Sequence, residues 1–227
     1  MAVAFAPTRP DAIAESLWNA CLTADPCAVS DVLHKHGLHA QTMRAEIQGL
    51  SLSTRIAGTV RTMASRPLAG EPDPQREYGL LFDAIDGLAA GEVLVTDEMG
   101  CCVWGELCCE RALNRRANGT IVDGYYRDAV RVIASGLPVF SRGRHMSDLL
   151  YHREITAIDE AVVCGGVACH PGDLVLGGAD GVVVVPQALV GVVILEAVAK
   201  SDTEDKVREA LRGGVSASEA YERFGVL

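Results

Sequence analysis

The sequence predicts an α/β fold: a partly parallel sheet with crossover helices, continued by an all-β segment and bracketed by helices at both ends. Three observations carry this. Between residues 92 and 140, short β-branched runs alternate with helical stretches at the pitch of strand–helix–strand units. After Glu154 the runs become short, apolar and turn-bounded. Residues 1–40 and 187–227 read as an N-terminal helical segment and C-terminal helices. The whole chain, residues 1–227, is expected to form a single domain with a large core, and 49% apolar residues keep it ordered.

The elements follow in order. Residues 11–20 and 30–36 read as amphipathic helices, the second with Ser30 as N-cap. Residues 54–63 alternate as a strand, and residues 66–75, with Pro67, Gly70, Pro72 and Pro74, read as a loop. Residues 78–89 form a helix and 92–96 a strand. Residues 99–103 read as a loop before a helix over 104–117. Then come a strand at 120–122, a helix at 128–134 and a strand at 138–140. Residues 161–168, 173–176 and 182–185 are strands, with turns at Pro171-Gly172-Asp173 and Ala179-Asp180-Gly181. Helices over 190–210 and 216–224 close the chain, the last capped by Ser216 or Ser218.

Composition excludes several classes. A net charge of −10 lacks the basic footprint that nucleic acid needs. The longest apolar run, residues 190–198, is broken by Gly191 and Glu196 and is too short to span a bilayer. Residues 1–10 lack the charged start and apolar run of a secretory leader. The eight cysteines contain no C-x-x-C pair, so free thiols in a reduced, cytoplasmic protein are expected. There is no G-x-S-x-G elbow, dinucleotide fingerprint or P-loop. His34 and His36 fall on different helix faces, and His145 and His152 lie in loop sequence, so none is a metal candidate. The three lysines, Lys35, Lys200 and Lys206, sit in polar helical sequence, where none is expected to be a desolvated Schiff-base lysine.

One pattern in the middle third points to chemistry. Gly105-Glu106 opens a helix just past a strand, twenty residues intervene, and Arg127-Asp128 opens the next helix. Parallel strands deliver their carboxyl ends side by side, so Glu106, Asp123, Arg127 and Asp128 are expected to converge on one cleft. A helix N-terminus attracts a carboxylate. An Asp with waters suits Mg²⁺ or Mn²⁺, and an Arg fork suits a keto acid or enolate. Taken singly, each pair also reads as an ordinary helix start.

These residues resemble the RraA-like family, which includes the 4-hydroxy-4-methyl-2-oxoglutarate and 4-carboxy-4-hydroxy-2-oxoadipate aldolases. The resemblance runs from about Val29 to the C-terminus. It rests on Gly91-Glu92-Val93-Leu94-Val95-Thr96-Asp97, Trp104-Gly105-Glu106-Leu107, Gly119-Thr120-Ile121-Val122-Asp123-Gly124 with Arg127-Asp128, Pro138-Val139-Phe140, Asp180-Gly181-Val182-Val183-Val184-Val185-Pro186 and Phe224-Gly225-Val226-Leu227. It implies a swivelling β/β/α sandwich, a homotrimer or homohexamer, and sites at subunit interfaces. It implies a divalent metal, Mg²⁺ or Mn²⁺, held by Asp128 largely through waters. Arg127 would hold the keto acid and stabilise an enolate, Glu106 would orient a metal-bound water for proton transfer, and backbone amides around Val103 to Leu107, those of Gly105, Glu106 and Leu107 among them, would take the C1 carboxylate. Glu204 resembles a glutamate donated from a neighbouring subunit.

The implied activity is a metal-dependent lyase that releases pyruvate from a 4-hydroxy-2-oxo acid, with oxaloacetate decarboxylation as a side activity. The sequence departs from the family at Tyr125-Tyr126, Gly178 and Cys101-Cys102. The tyrosines are expected to narrow or reshape the pocket, which raises a second reading, a specialised lyase on a non-standard substrate. A third is a non-catalytic regulator that binds an RNA-degrading endonuclease; an acidic surface suits a basic partner.

Overall fold

Residues 5–226 are described by a computed structural model. The first four residues of the stretch inspected for a leader, and Leu227 of the terminal motif, lie outside the described residues. Helices α1 (Glu15–Thr23) and α2 (Pro26–Lys35) come first. Strands β1 (Gln48–Gly49) and β2 (Ile56–Pro67), helix α3 (Pro74–Asp86) and strand β3 (Glu92–Thr96) follow. Next are β4 (Cys102–Trp104), α4 (Glu106–Asn114), β5 (Gly119–Val122), β6 (Tyr125–Tyr126), α5 (Ala129–Ser135) and β7 (Val139–Ser141). The all-β part holds β8 (Arg153–Ile158), β9 (Val162–Cys164), β10 (Val167–Cys169), β11 (Leu174–Gly178) and β12 (Gly181–Val185). Helices α6 (Val190–Arg212) and α7 (Ala217–Phe224) end the chain.

The main sheet runs β1-β7-β5-β3-β2-β11-β12, with β8 pairing the far half of β2. Strands β2, β3, β5 and β7 are parallel, joined through α3, α4 and α5, and the flanking strands are antiparallel. The sheet curls until its ends nearly meet: Met43 N donates to Val182 O, and Val184 N to Gln41 O, both at 2.9 Å. The α/β architecture with helices at both termini is thus present.

Both sheet faces are buried, which is why the strands read as unbroken apolar runs. Alternation sends Val93, Val95, Ile121, Phe140, Val182 and Val184 into the curled interior. Leu94, Val122 and Val139 face the layer of α3, α4 and α5. Leu174, Leu176, Val183 and Val185 face α1, α2 and α6.

Several expectations are corrected. Asp25, not Ser30, caps α2, accepting from Cys27 N at 2.7 Å, and Pro26 takes the first position, where no N–H is needed. Strand β2 runs on to Pro67 because β8 gives it an antiparallel partner, so only the residues between Pro67 and Pro74 remain as loop. Residues 161–168 are not one strand but part of the β9–β10 hairpin, turned at Gly165-Gly166 with φ of 55° and 85°. That Gly-Gly pair was a readable turn signal. Residues 102–104, expected to span a loop and a helix start, form β4, because Cys102 and Trp104 pair in parallel with Tyr125 and Tyr126. Lys200 is largely covered, yet it is tied to Asp31 and Glu204, and those carboxylates raise its pKa against the opposing pull of burial. A lysine so held is no Schiff-base nucleophile.

Among the described residues no helix is long and apolar enough to cross a membrane. All eight cysteines are free.

Candidate functional site

Gly105 is the N-cap of α4 and has no capping side chain. The first intrahelical bond is Cys109 N to Gly105 O, at 3.2 Å, so the amides of Glu106, Leu107 and Cys108 have no partner within the helix. Facing them is Asp128, the N-cap of α5. Its φ of 56° and ψ of 39° place it in the left-handed region, which costs on the order of 1 kcal/mol for a non-glycine residue. Its carbonyl starts α5 by accepting from Val132 N at 3.0 Å. Its side chain does not cap that helix; Oδ2 instead lies 3.5 Å from Glu106 N. One helix's cap residue thus turns its carboxylate toward the positive end of another.

The approach requires glycine at 105. A Cβ there would stand 2.8 Å from Asp128 Oδ2. Gly105→Ala is expected to push the carboxylate aside and lower activity about tenfold or more, with little change in thermal melting. Steady-state kinetics beside a melting curve checks this.

Arg127 is set by strand pairing: its N–H donates to Trp104 O at 3.0 Å. Its guanidinium Nη1 lies 2.9 Å from Asp148 Oδ2. Tyr78, on α3, donates its hydroxyl to Asp148 Oδ1 at 3.0 Å. Helix α3 is itself anchored by buried Glu77, whose Oε2 accepts from Ile155 N on β8 at 2.7 Å. Burial works against charge on Arg127, but the Asp148 carboxylate overrides it and holds the guanidinium pKa above its ordinary value. Burial, then the bond to Asp148, pushes the Tyr78 phenol up, so it stays a donor at neutral pH.

These groups border a cavity of about 220 Å³, lined by Arg127, Asp128, Asp148 and Gly105 on its polar side. Tyr78, Leu81, Phe82, Leu107 and Leu149 are among the residues that make it apolar elsewhere. Cys102 and Cys108 also line it, and burial pushes both thiols up to about 11, so neither is a thiolate nucleophile at neutral pH. Past Asp128 a second space, of about 580 Å³, is lined by Tyr126, Arg144, His145 and Met146 among others.

The structure therefore brings together Gly105, Leu107, Arg127 and Asp128, with the backbone of Glu106. The Glu106 carboxylate lies to one side, where Oε1 meets Arg131 Nη1 at 3.0 Å. Asp123 does not converge. It shares the parity of Ile121 on β5, so it points to the curled interior, away from the α4–α5 layer. There it is 1% exposed, gripped by Arg142 at 2.6 Å and Arg44 at 3.2 Å, and accepts from Gly165 N at 2.8 Å. Alternation along β5 was the signal that placed it.

Neither Tyr125 nor Tyr126 lines the 220 Å³ cavity, contrary to expectation. Tyr125 packs on His145, with ring centroids 5.4 Å apart, and Tyr126 borders the space beyond Asp128. Gly178 sits at the β11–β12 turn, beside Pro26. Within this chain Glu204 bonds Lys200 on α6, in the helical layer on the other side of the sheet. Asp148 and Tyr78 were missed, since Asp148 reads only as a turn cap, accepting from Leu150 N.

Among the described residues no group of three or more His, Cys, Asp or Glu is poised as a complete metal cage. Asp128 has no ion-pair partner in the described structure, whereas Asp148 is committed to Arg127 and Tyr78. One free carboxylate completed by water suits Mg²⁺, which gives up its hydration reluctantly. The donor set fits a hydrated divalent ion at Asp128.

A family model described as "RraA-like: Aldolase/RraA" matches residues 26–184. A Halalkalibacterium halodurans protein named "Putative 4-hydroxy-4-methyl-2-oxoglutarate aldolase" is 35% identical over 79% of this chain and 82% of its own length. Protein DlpA of Legionella pneumophila is 27% identical over 97% of this chain, which spans only 36% of that protein's length. Among solved structures, an uncharacterized Pseudomonas syringae protein superposes with a TM-score of 0.79 at 30% identity, covering 95% of this chain and 99% of its own. Streptomyces coelicolor RraAS2, described as an unusual member of the RNase ES inhibitor RraA protein family, gives 0.78 at 25% identity over 88% and 99%. The family match spans well over half of the chain, and on it the protein belongs to the RraA-like family.

Proposed function

We propose that the chain is a divalent-metal-dependent lyase that cleaves the C3–C4 bond of a 4-hydroxy-2-oxo acid and releases pyruvate. The observation that carries this is the convergence of the α4 amides, Arg127 and Asp128 on one cavity. Asp128 would hold Mg²⁺ or Mn²⁺ through water, and the bound ion supplies Lewis-acid polarisation of the substrate's C2 carbonyl. The N-terminal amides of α4, those of Leu107 and Cys108 without a partner in the helix and that of Glu106 now facing Asp128 Oδ2, would bind the C1 carboxylate. Arg127, steadied by Asp148, faces the negative charge that grows on the C2 oxygen as the bond breaks. The C4 hydroxyl gives its proton to a water, which the Glu106 carboxylate would orient on leaving Arg131 and turning to the cavity. The C3–C4 electron pair stays on the pyruvate fragment, and that water returns the proton to C3. The same charge develops if CO₂ leaves oxaloacetate. Membership of a family with aldolase-named relatives supports the reading.

The test is pyruvate release from oxaloacetate, followed through lactate dehydrogenase. Activity is expected with Mg²⁺ or Mn²⁺, falling to background in EDTA and returning when the ion is restored in excess. Chelator-insensitive turnover would sink the metal assignment. A second reading, a regulator that binds an RNA-degrading endonuclease, is favoured by the likeness to RraAS2 and by the charge of −10. Absence of turnover together with binding to such an endonuclease would favour it. The specialised-substrate reading loses its support from Tyr125 and Tyr126, which lie outside the 220 Å³ cavity.

A further inference from the structure

Arg127 has a long, flexible side chain that packing does not fix, since 43% of it is exposed. Its backbone N–H, bonded to Trp104 O, settles only where the chain leaves β6. The same short strand holds its partner. Cys102 N donates to Ser147 O at 2.8 Å, and Cys102 bridges in parallel to Asp148. Strand β4 therefore tethers both members of the Arg127–Asp148 pair through the main chain.

Asp148 is ordered more firmly than an ordinary surface carboxylate. Its Oδ1 accepts from the Tyr78 hydroxyl and from Leu150 N, each at 3.0 Å, which leaves Oδ2 for Arg127 Nη1 at 2.9 Å. Tyr78 is held in turn. Its ring stacks on Phe82 with centroids 6.1 Å apart, and the adjacent Glu77 is buried and bonded to β8. Exposed ion pairs contribute little when both side chains must first be ordered. Here one side is ordered in advance. Among the described residues Arg127 has no other side-chain ion-pair partner, so Asp148 sets the direction of the guanidinium. Resting on the lyase reading above, we infer that Asp148 and Tyr78 are positioning residues: Asp148 clamps one edge of the Arg127 guanidinium so that its other N–H groups face the growing charge, and Tyr78 fixes Asp148.

Guanidinium rescue tests this in the full chain with Mg²⁺. In Arg127→Ala, guanidinium chloride well below denaturing concentration is expected to raise pyruvate release from oxaloacetate at least about tenfold, because the Asp148 carboxylate still offers a place for the cation. In Arg127→Ala combined with Asp148→Asn that rescue is expected to vanish. Asp148→Asn alone keeps an acceptor for Leu150 N and is expected to lower kcat about tenfold, and Tyr78→Phe about threefold. In the Arg127→Ala background each is expected to change turnover by less than about twofold, since both act through the side chain already removed. A merely structural role would carry the same loss into both backgrounds. Oxalate, which stands in for the pyruvate enolate, reads the clamp without turnover: by calorimetry, guanidinium is expected to tighten its binding to Arg127→Ala and not to the double variant.

Rescue that persists in the double variant, or equal losses in both backgrounds, would overturn the inference. So would the absence of rescue in both turnover and oxalate binding of Arg127→Ala. A rise of about tenfold or more in the Mg²⁺ requirement of Asp148→Asn would overturn it as well, by making Asp148 a metal ligand. If the wild type binds oxalate and releases no pyruvate, the lyase reading falls, and the oxalate measurements still decide the clamp.

Discussion

Replacing Asp128 with asparagine is expected to cut pyruvate release by at least about a hundredfold and to leave the melting temperature close to that of the wild type. Asparagine is the informative choice. Residue 128 holds a φ of 56°, and asparagine accepts the left-handed region better than alanine does, so the start of α5 survives. The carboxylate is solvent-facing and makes no ion pair in the described structure, so losing its charge strands no partner. What disappears is the negative charge opposite the α4 amides, and with it the proposed hold on a divalent ion. Arg127→Ala should cost about 10² to 10³ in kcat by removing the donor that faces the developing oxyanion. Isotope-free steady-state assays, paired with circular dichroism, read both effects. Near-normal turnover in either variant would refute the roles assigned here.

Asp123→Ala is expected to do the reverse, with large damage to stability and an indirect effect on chemistry. The carboxylate is buried and holds three groups together: Arg142 from the end of β7, Arg44 from the segment before β1, and the Gly165 amide of the β9–β10 turn. Removing it takes the carboxylate from Arg44, leaves Arg142 with Glu98 alone, and strands one buried N–H. Breaking a buried pair costs about 3–5 kcal/mol, and because Arg44 is nearly half exposed the lower end applies, about 3 kcal/mol. For a chain of this size that lowers the melting temperature by roughly 10 °C. Thermal unfolding checks it. A shift under a couple of degrees would mean that water replaces the carboxylate in this network.

Much of the fold was legible because burial on both sheet faces writes itself as local composition. Residues 92–96 were read with the bounds β3 has, and residues 182–185 fell within β12. The long α6 was visible from its start at Val190. Two of the failures needed a partner distant in sequence. Cys102–Trp104 is a strand only because Tyr125–Tyr126 lies beside it, and β2 outran its apparent end only because β8 returns to pair with it.

The candidate site divides the same way. Glycine before a helix and Arg-Asp before the next are local patterns, and they do meet. Asp148 has no such signature. Its contact with Arg127 is made by a turn whose position the sheet decides, and Tyr78 reaches it only because Glu77 pins α3 to β8. Asp123 was misplaced by counting residues from the strand end without following which face each one takes.

The near-closure of the main sheet bears on solubility. Open margins of a β-sheet recruit other chains, and long flat ones seed fibres. At the two ends of the strand order β1 to β12, one margin is a two-residue strand and the other is already hydrogen-bonded to residues 41–43 of the same molecule. A valine-rich segment such as Gly181–Val185, which would be an aggregation hazard if bare, has both backbone sides occupied and both faces covered. The curvature that shapes the interior thus also shields the stickiest stretch of the polypeptide.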